Sequence, residues 1–543
     1  MKRYLLAAIT VMYSCCLSAQ LPQPTDYLPA SFHKGRRDAL RAMMPPRSVA
    51  VFFASPERNF SNDVNYRYHA NPDLYYFSGY TEPNGMLLVF KEKQTAGSDE
   101  PYDEVLFVRK KDPRMETWTG KRLGVQGAKE KLGVGLVMES AVFKQFPIDP
   151  KDFDHIIYGA VKDLADDFSD PDDVYDLVRL FKEKAGFSGY NEQAAEQYSM
   201  MAARDYLAED DYRPRVMAML QESAKQQPSL ANDTLFAALL AVKDAAGMRA
   251  VFDRIRNARV NTTMFNQFTN RLRQIKTPEE MELMRKAIDI SSLAHVEAMK
   301  AVRSDMSERE LQGVQEFIHK KLGAEDVGYG SIVGAGENGC TLHYETNSAM
   351  AVGNDMVLMD VGAEYHGYSA DVTRTFPTNG KFSREQKQIY DIVYEAQEAV
   401  FAICREGTPF RAIEDTASAV VARGLLRLGI ISDPAEARKY YPHGCSHFLG
   451  LDVHDKGEYD ILKENMVITV EPGIYIPPGS DCDKKWWRIA VRIEDDVRID
   501  KQKMELLTNL APRKTEDIEK VMQQKSFVDD LKLSLPVSPK KGF

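Results

Sequence analysis

The chain has 543 residues, 44% of them hydrophobic and 28% charged. That is ordinary globular composition, enough for more than one core at ~150 residues per domain, and it excludes a wholly disordered chain. Lys and Arg number 70 against 80 Asp and Glu, a net charge of −10 with no long basic run, so no nucleic-acid partner is expected.

Lys2 and Arg3 precede an apolar stretch from Tyr4 to Tyr13, and the small residues Ser18 and Ala19 precede Gln20. This layout predicts a signal peptide over residues 1–19 and export to a periplasmic or extracellular space. Cys15 and Cys16 raise a lipid anchor, which Tyr13 disfavours by standing where a lipobox wants a small residue, and an uncleaved anchor is the other lesser alternative. No later stretch is long and apolar enough to span a bilayer. Cys340, Cys404, Cys445 and Cys482 are too few, and lack a C-x-x-C pair, for a disulfide framework.

Residues 28–160 alternate strand-like and helix-like pieces. Segments 48–54, 86–90 and 104–109 read as strands, and an aromatic run over 75–85 closes on a Glu-Pro-Asn-Gly turn, predicting an α/β domain. Residues 161–265 are acidic near 166–173 and then helical in period, predicting a helical extension of this N-terminal half. The pattern changes over 270–515. Thr277-Pro278-Glu279-Glu280 is a capping box with Pro at the first helical position, predicting a helix to about Val302. Ser307 with Glu310, and Ser383 with Gln386, repeat the device. Strand pairs at 356–376, 466–476 and 489–499 lie between and after these helices, predicting an α+β domain of antiparallel strands covered by helices. Residues 526–543 read as a loose tail.

Gly334-Ala335-Gly336-Glu337-Asn338-Gly339 imitates a dinucleotide fingerprint. That fingerprint needs a helix after the glycines, and the residues that follow form none. Close backbone packing is the better reading of these glycines.

The chemistry concentrates in segment 356–376. If the chain reverses between Tyr365 and His366, Asp360 faces Asp371 across a hairpin, with Cβ atoms ~4.5–5.5 Å apart. Two such carboxylates repel unless a proton or cation lies between them. Asp360 sits inside an apolar run, which points to a buried metal site; His366, at the tip, reads as surface. Glu471 ends another apolar strand. Period-2 alternation puts Arg492 and Glu494 on one face, a carboxylate held by a guanidinium. His443 and His447 stand four apart, but Gly444 replaces the zincin glutamate and argues against a helix, so one or both are candidate ligands. Four carboxylates with imidazole form an oxygen-rich donor set that favours Mn²⁺, with Co²⁺ or Zn²⁺ as alternatives. Two divalent ions would balance the four negative charges and could activate a water.

Residues 360–377 (DVGAEYHGYSADVTRTFP), 443–455 (HGCSHFLGLDVHD), 471–475 (EPGIY) and 492–495 (RIED) resemble the pita-bread metallopeptidases. Residues 334–344 (GAGENGCTLHY) and 71–83 (NPDLYYFSGYTEP) resemble the aminopeptidase P subfamily. The likeness covers about 30–160 and 270–515; residues 161–265 depart from the smallest members. It implies an α/β N-terminal domain followed by an α+β pita-bread catalytic domain. It also implies a metallo-aminopeptidase that cleaves peptides before a proline at the second position, by a hydroxide activated by two divalent ions. By this resemblance Asp360 would chelate one ion, Asp371 and Glu494 would bridge both, and His447 and Glu471 would hold the other. Glu471 would also carry the proton, and His454 would hydrogen-bond the scissile carbonyl or the tetrahedral intermediate, with His343 counted beside them as catalytic. His343 and His443 would line the proline pocket, and Arg492 would orient a ligand carboxylate. Relatives form dimers or tetramers, so a homo-oligomer is expected. The rivals are a prolidase, restricted to X-Pro dipeptides, and a metal-free scaffold that only binds peptides.

Overall fold

The computed structural model describes residues 24–166, 173–186, 212–226 and 234–530. The expected signal peptide and most of the expected tail lie outside the described residues.

The N-terminal half is organised by helices α1 (Ala30–Met43) and α2 (Pro72–Ser78) around one sheet. Its strands are β1 (Ser48–Phe53), β2 (Met86–Gln94), β3 (Tyr102–Val108), β4 (Leu136–Glu139) and β5 (His155–Tyr158), in the order β4-β3-β2-β1-β5. The centre is antiparallel, and β4 and β5 join its edges in parallel. Ala50, Phe52, Leu87 and Val89 face one core; Val49, Val51, Phe53 and Leu88 face another. Both faces are covered, which is why these strands read as unbroken apolar runs. The aromatic run splits in two. Asn71 caps α2, accepting from the Leu74 amide at 3.0 Å, and left-handed Gly79 ends it, so Tyr75, Tyr76 and Phe77 are helical and buried. Farther on, Val216, Leu220, Phe236, Leu239, Met248 and Phe252 share a small separate core among the helices that precede the second half.

Three capping boxes open helices in the C-terminal half: α3 (Pro278–Ala301), α4 (Glu308–Lys321) and α5 (Arg384–Ile403). In the first, the Thr277 amide donates to Glu280 at 2.9 Å and the Glu280 amide donates to the Thr277 hydroxyl at 3.3 Å. These helices pack on β6 (Ile332–Ala335), β7 (Met356–Val361), β8 (Ala363–Tyr365), β9 (Tyr368–Ser369) and β10 (Val372–Pro377), and on β11 (Val467–Val470), β12 (Gly473–Ile476), β13 (Ile489–Arg492) and β14 (Asp495–Ile499). Every strand pair among them is antiparallel.

The hairpin register differs from the expected one. His366 and Gly367 both take positive φ, 49° and 85°, and form a two-residue turn that pairs Tyr365 with Tyr368. Asp360 therefore faces Thr373, and Asp371 lies two residues along, on the diagonal. The register moves by two residues, so parity is kept and both carboxylates still share a face. His366 is buried rather than on the surface: Glu325 binds its Nδ1, and Asp26 lies 2.9 Å from its Nε2.

The Gly334 motif itself ends in a single turn, Asn338–Cys340, and a Cβ on Gly334 would fall 2.7 Å from the Gly339 nitrogen, so the glycines serve close packing. The start of the expected tail is anchored: Phe527 stacks on Phe317 at 5.2 Å, and Arg303 donates to Asp529 at 2.9 Å. Among the described residues, no helix is long and apolar enough to cross a membrane.

Candidate active site

A cavity of about 420 Å³ opens in the C-terminal half, and His343, Asp360, Asp371, His443, His447, His454, Glu471, Arg492 and Glu494 all line it. These are all nine residues singled out by sequence. The fold explains how they meet. The hairpin β7–β10 carries Asp360 and Asp371 on one face. Glu471 follows β11 directly, its amide donating to the Cys445 carbonyl at 2.9 Å. Glu494 follows β13 and bridges to Thr373 on β10. The Thr469 amide donates to the His447 carbonyl at 2.9 Å, so 445–448 runs extended beside β11 and is not a helix.

Ligand atoms of Asp371, His447 and Glu494 all lie within 4.8 Å of one another. His447 Nε2 is 3.4 Å from both Asp371 and Glu471. Asp360 is held differently: its two oxygens accept from Tyr329 and Arg492. The sequence pairing of Arg492 with Glu494 is thus corrected. Arg492 gives Nη2 to Asp360, Nη1 to Tyr475 at 2.8 Å and Nε to Thr373 at 3.1 Å. So occupied, it orients the carboxylate of Asp360, in keeping with its expected role of orienting a ligand carboxylate, although the carboxylate it holds is not that of Glu494. Glu494 is held instead by the Thr373 hydroxyl at 2.6 Å.

The electrostatics are those of a crowded anionic pocket. Burial raises the carboxyl of Glu471 to about 7, with Asp371 adding to the shift. Burial and then Asp360 raise Asp371, and burial and then Asp371 raise Glu494. For Asp360 burial works upward, but Arg492 and the Tyr329 hydroxyl together outweigh it and the pKa falls. His447 moves the other way from a buried base: Asp371 and Glu471 overcome burial and lift it to about 9. A cluster that pulls protons onto its carboxylates is one that divalent cations relieve, and the donors present, four carboxylates and one imidazole nitrogen, suit hard or borderline ions. The residues therefore fit a divalent metal centre.

Around it, His443 uses both nitrogens, one to the Gly444 carbonyl and one to Tyr475 at 2.8 Å. Burial, then Arg492, lowers its pKa to about 4, so it stands neutral. The His454 ring lies 4.3 Å from that of His447; partial desolvation at the cavity wall, and then His447, lower its pKa, although the residue stays open to solvent.

Tyr329 was not foreseen. Its hydroxyl reaches Asp360 and lies 2.6 Å from Asp371, so one group ties both hairpin carboxylates. Thr373, Thr469 and Tyr475 were likewise missed; a lone hydroxyl residue in a strand gives no pattern that marks it as support for a ligand.

Residues 282–501 match metallopeptidase family M24, and residues 33–147 match the aminopeptidase P N-terminal domain. The chain is 33% identical over 499 residues to Xaa-Pro aminopeptidase of Escherichia coli (strain K12), spanning 90% of this chain and 96% of the relative. It is 29% identical to human Xaa-Pro aminopeptidase 3 over 88% of this chain and 81% of that one. Among solved structures, E. coli aminopeptidase P with the inhibitor Pro-Leu is similar at a TM-score of 0.70 and 31% identity, covering 91% of this chain and 98% of that one. The zinc-substituted E. coli enzyme with product is similar to the same degree, TM-score 0.70.

Proposed function

The chain belongs to metallopeptidase family M24, in the aminopeptidase P group, and on that premise we propose that it removes the first residue from peptides whose second residue is proline. It is a hydrolase that works with divalent metal ions. The reading rests above all on the convergence of Asp371, His447, Glu471 and Glu494 in one cavity walled by His343, His443 and His454.

We assign Asp360, Asp371, His447, Glu471 and Glu494 as the metal ligands, and two ions, Mn²⁺ before Co²⁺ or Zn²⁺, because the donors are mostly carboxylate oxygens. Bound there, divalent cations supply positive charge that acidifies a water and polarises a carbonyl. Glu471, lining the same cavity beside His447, is placed to take a proton from that water and return it to the leaving proline nitrogen. His454 and His343 offer N–H groups to the scissile carbonyl oxygen. His443, neutral and fully hydrogen bonded, gives an uncharged wall for the proline ring. A proline nitrogen bears no hydrogen before cleavage, so selection has to rest on ring shape and not on a backbone donor.

The test is cleavage by the purified protein of Arg-Pro-Pro and of Gly-Pro with Mn²⁺, Co²⁺ or Zn²⁺. Release of arginine from the tripeptide is expected. Cleavage of Gly-Pro alone would make it a prolidase, and less than one metal per chain after purification with Mn²⁺ would favour the binding scaffold. We further propose export, on the character of residues 1–19, which N-terminal sequencing of the protein from its native compartment tests. A homo-oligomer is proposed as well. It is supported by the solvent-exposed pair Phe60 and Tyr66, edge to face at 5.0 Å, and is checked by sedimentation.

A further inference from the structure

His454 has little of its own to fix it. Its side chain is exposed, touches the His447 ring, and makes no hydrogen bond among the described residues. Its aim into the cavity must come from the loop that bears it. That loop closes on itself: the Asp455 amide donates to the Phe448 carbonyl at 2.8 Å, and the Gly450 amide to the Asp452 carbonyl at 3.1 Å.

On either side of His454 stand two carboxylates, Asp452 and Asp455, and both bind the same atom. Nη2 of Arg273 donates to Asp452 at 2.7 Å and to Asp455. Nη1 of Arg273 donates to Asp73, in the first turn of α2 in the N-terminal half, at 2.9 Å. Two lysines complete the cluster: Lys276 binds the second oxygen of Asp455, and Lys456 the second oxygen of Asp73, each at 2.7 Å. Three cations thus meet three anions. The side chains of Arg273, Asp455 and Lys276 are each 1% exposed. Buried ion clusters add little stability over apolar packing of equal volume, but they fix geometry. A planar guanidinium can hold three carboxylates in a set fan, which an ammonium cannot.

We propose that Arg273 is the positioning residue for His454: it clamps the loop at Asp452 and Asp455 and braces it against Asp73. The inference rests on the reading of His454 as the group that serves the scissile carbonyl. It also makes the N-terminal half a structural part of the active site.

Two variants test it: Arg273→Lys and the milder Asp452→Asn at a half-exposed position. With an X-Pro-Pro tripeptide, the expected result for both is a kcat lower by about tenfold or more, with KM within about twofold and metal content unchanged. In a His454→Ala background the same changes lower kcat no further, whereas a merely structural role would lower it again. Amide exchange over 449–456 in the metal-loaded protein gives a readout free of activity: Arg273→Lys speeds exchange there and leaves β12 unchanged. Wild-type kcat together with wild-type exchange in folded Arg273→Lys and Asp452→Asn overturns the proposal, as does an equal loss in the His454→Ala background. If the wild-type protein fails to cleave the peptide, the functional reading falls, and the exchange result still decides the clamp.

Discussion

His447 turns Nδ1 to the carbonyl oxygen of Phe448 at 3.0 Å, which leaves Nε2 facing Asp371 and Glu471, 3.4 Å from each. The backbone bond selects the tautomer with the proton on Nδ1 and the lone pair on Nε2, the form that binds a metal. Without cations the two carboxylates hold a second proton on this ring, up to about pH 9, and Glu471 stays half protonated near 7. Cations must displace those protons. Titration of the metal-free protein with Mn²⁺ at pH 7 should therefore release about one proton or more per chain. Calorimetry in buffers of different ionisation enthalpy measures this, and a binding heat that does not depend on the buffer would contradict it.

Removal of a proposed ligand carboxylate should separate metal loss from other damage. Asp371→Ala is expected to lose metal and activity together, read by metal analysis after dialysis. Retained stoichiometry would remove Asp371 from the ligand set. His454→Ala should keep its metal and lose only kcat, by roughly 10²-fold or more.

Thr373 supports the centre without touching it. Its hydroxyl donates to Glu494 at 2.6 Å and accepts from Arg492 at 3.1 Å, so it links a proposed ligand to the arginine that holds Asp360. Thr373→Val keeps the volume and removes both bonds. Metal affinity should fall by about 10–100-fold, as for other groups that orient a ligand, while Thr373→Ser stays close to the parent. Competition with a chelator reads the difference.

How legible each feature was depended on whether its cause is local. The three capping boxes were readable because each needs only two residues three apart. That Asp360 and Asp371 share a face was also readable, because parity survives a two-residue change of register. The facing pair itself was not, since the turn sits at His366-Gly367 and a positive φ at His366 carries no mark in the sequence. Tyr329 could not be found either: its partners lie 31 and 42 residues away, joined only once β6, β7 and β10 form a sheet. Arg492 was placed on the correct face, but which of several carboxylates it would choose is decided by side-chain reach in the folded cavity. The Arg273 cluster spans Asp73 to Lys456, and no local pattern links such distant charges.

His366, at the tip of the hairpin that carries both aspartates, gives a prediction about pH. Its ring stacks on Tyr27 at 3.8 Å, with Glu325 at one nitrogen and Asp26 at the other. Burial opposes its charge, but the two carboxylates outweigh burial and raise its pKa above the ordinary 6.5. A base whose pKa is raised by folding binds its proton more tightly in the folded state. The stabilisation is complete below 6.5 and is lost as pH rises from there through the raised folded value. Carboxylates in the same contact, Glu325 and Asp26, have lowered pKa values and stay charged throughout that interval. Urea unfolding of the wild type should therefore show stability falling from pH 6.5 into the alkaline range. His366→Asn should be less stable at pH 6.5 and lose this part of the slope, so that the two curves converge at high pH. Curves that stay parallel across the range would show that His366 carries no charge in the folded protein.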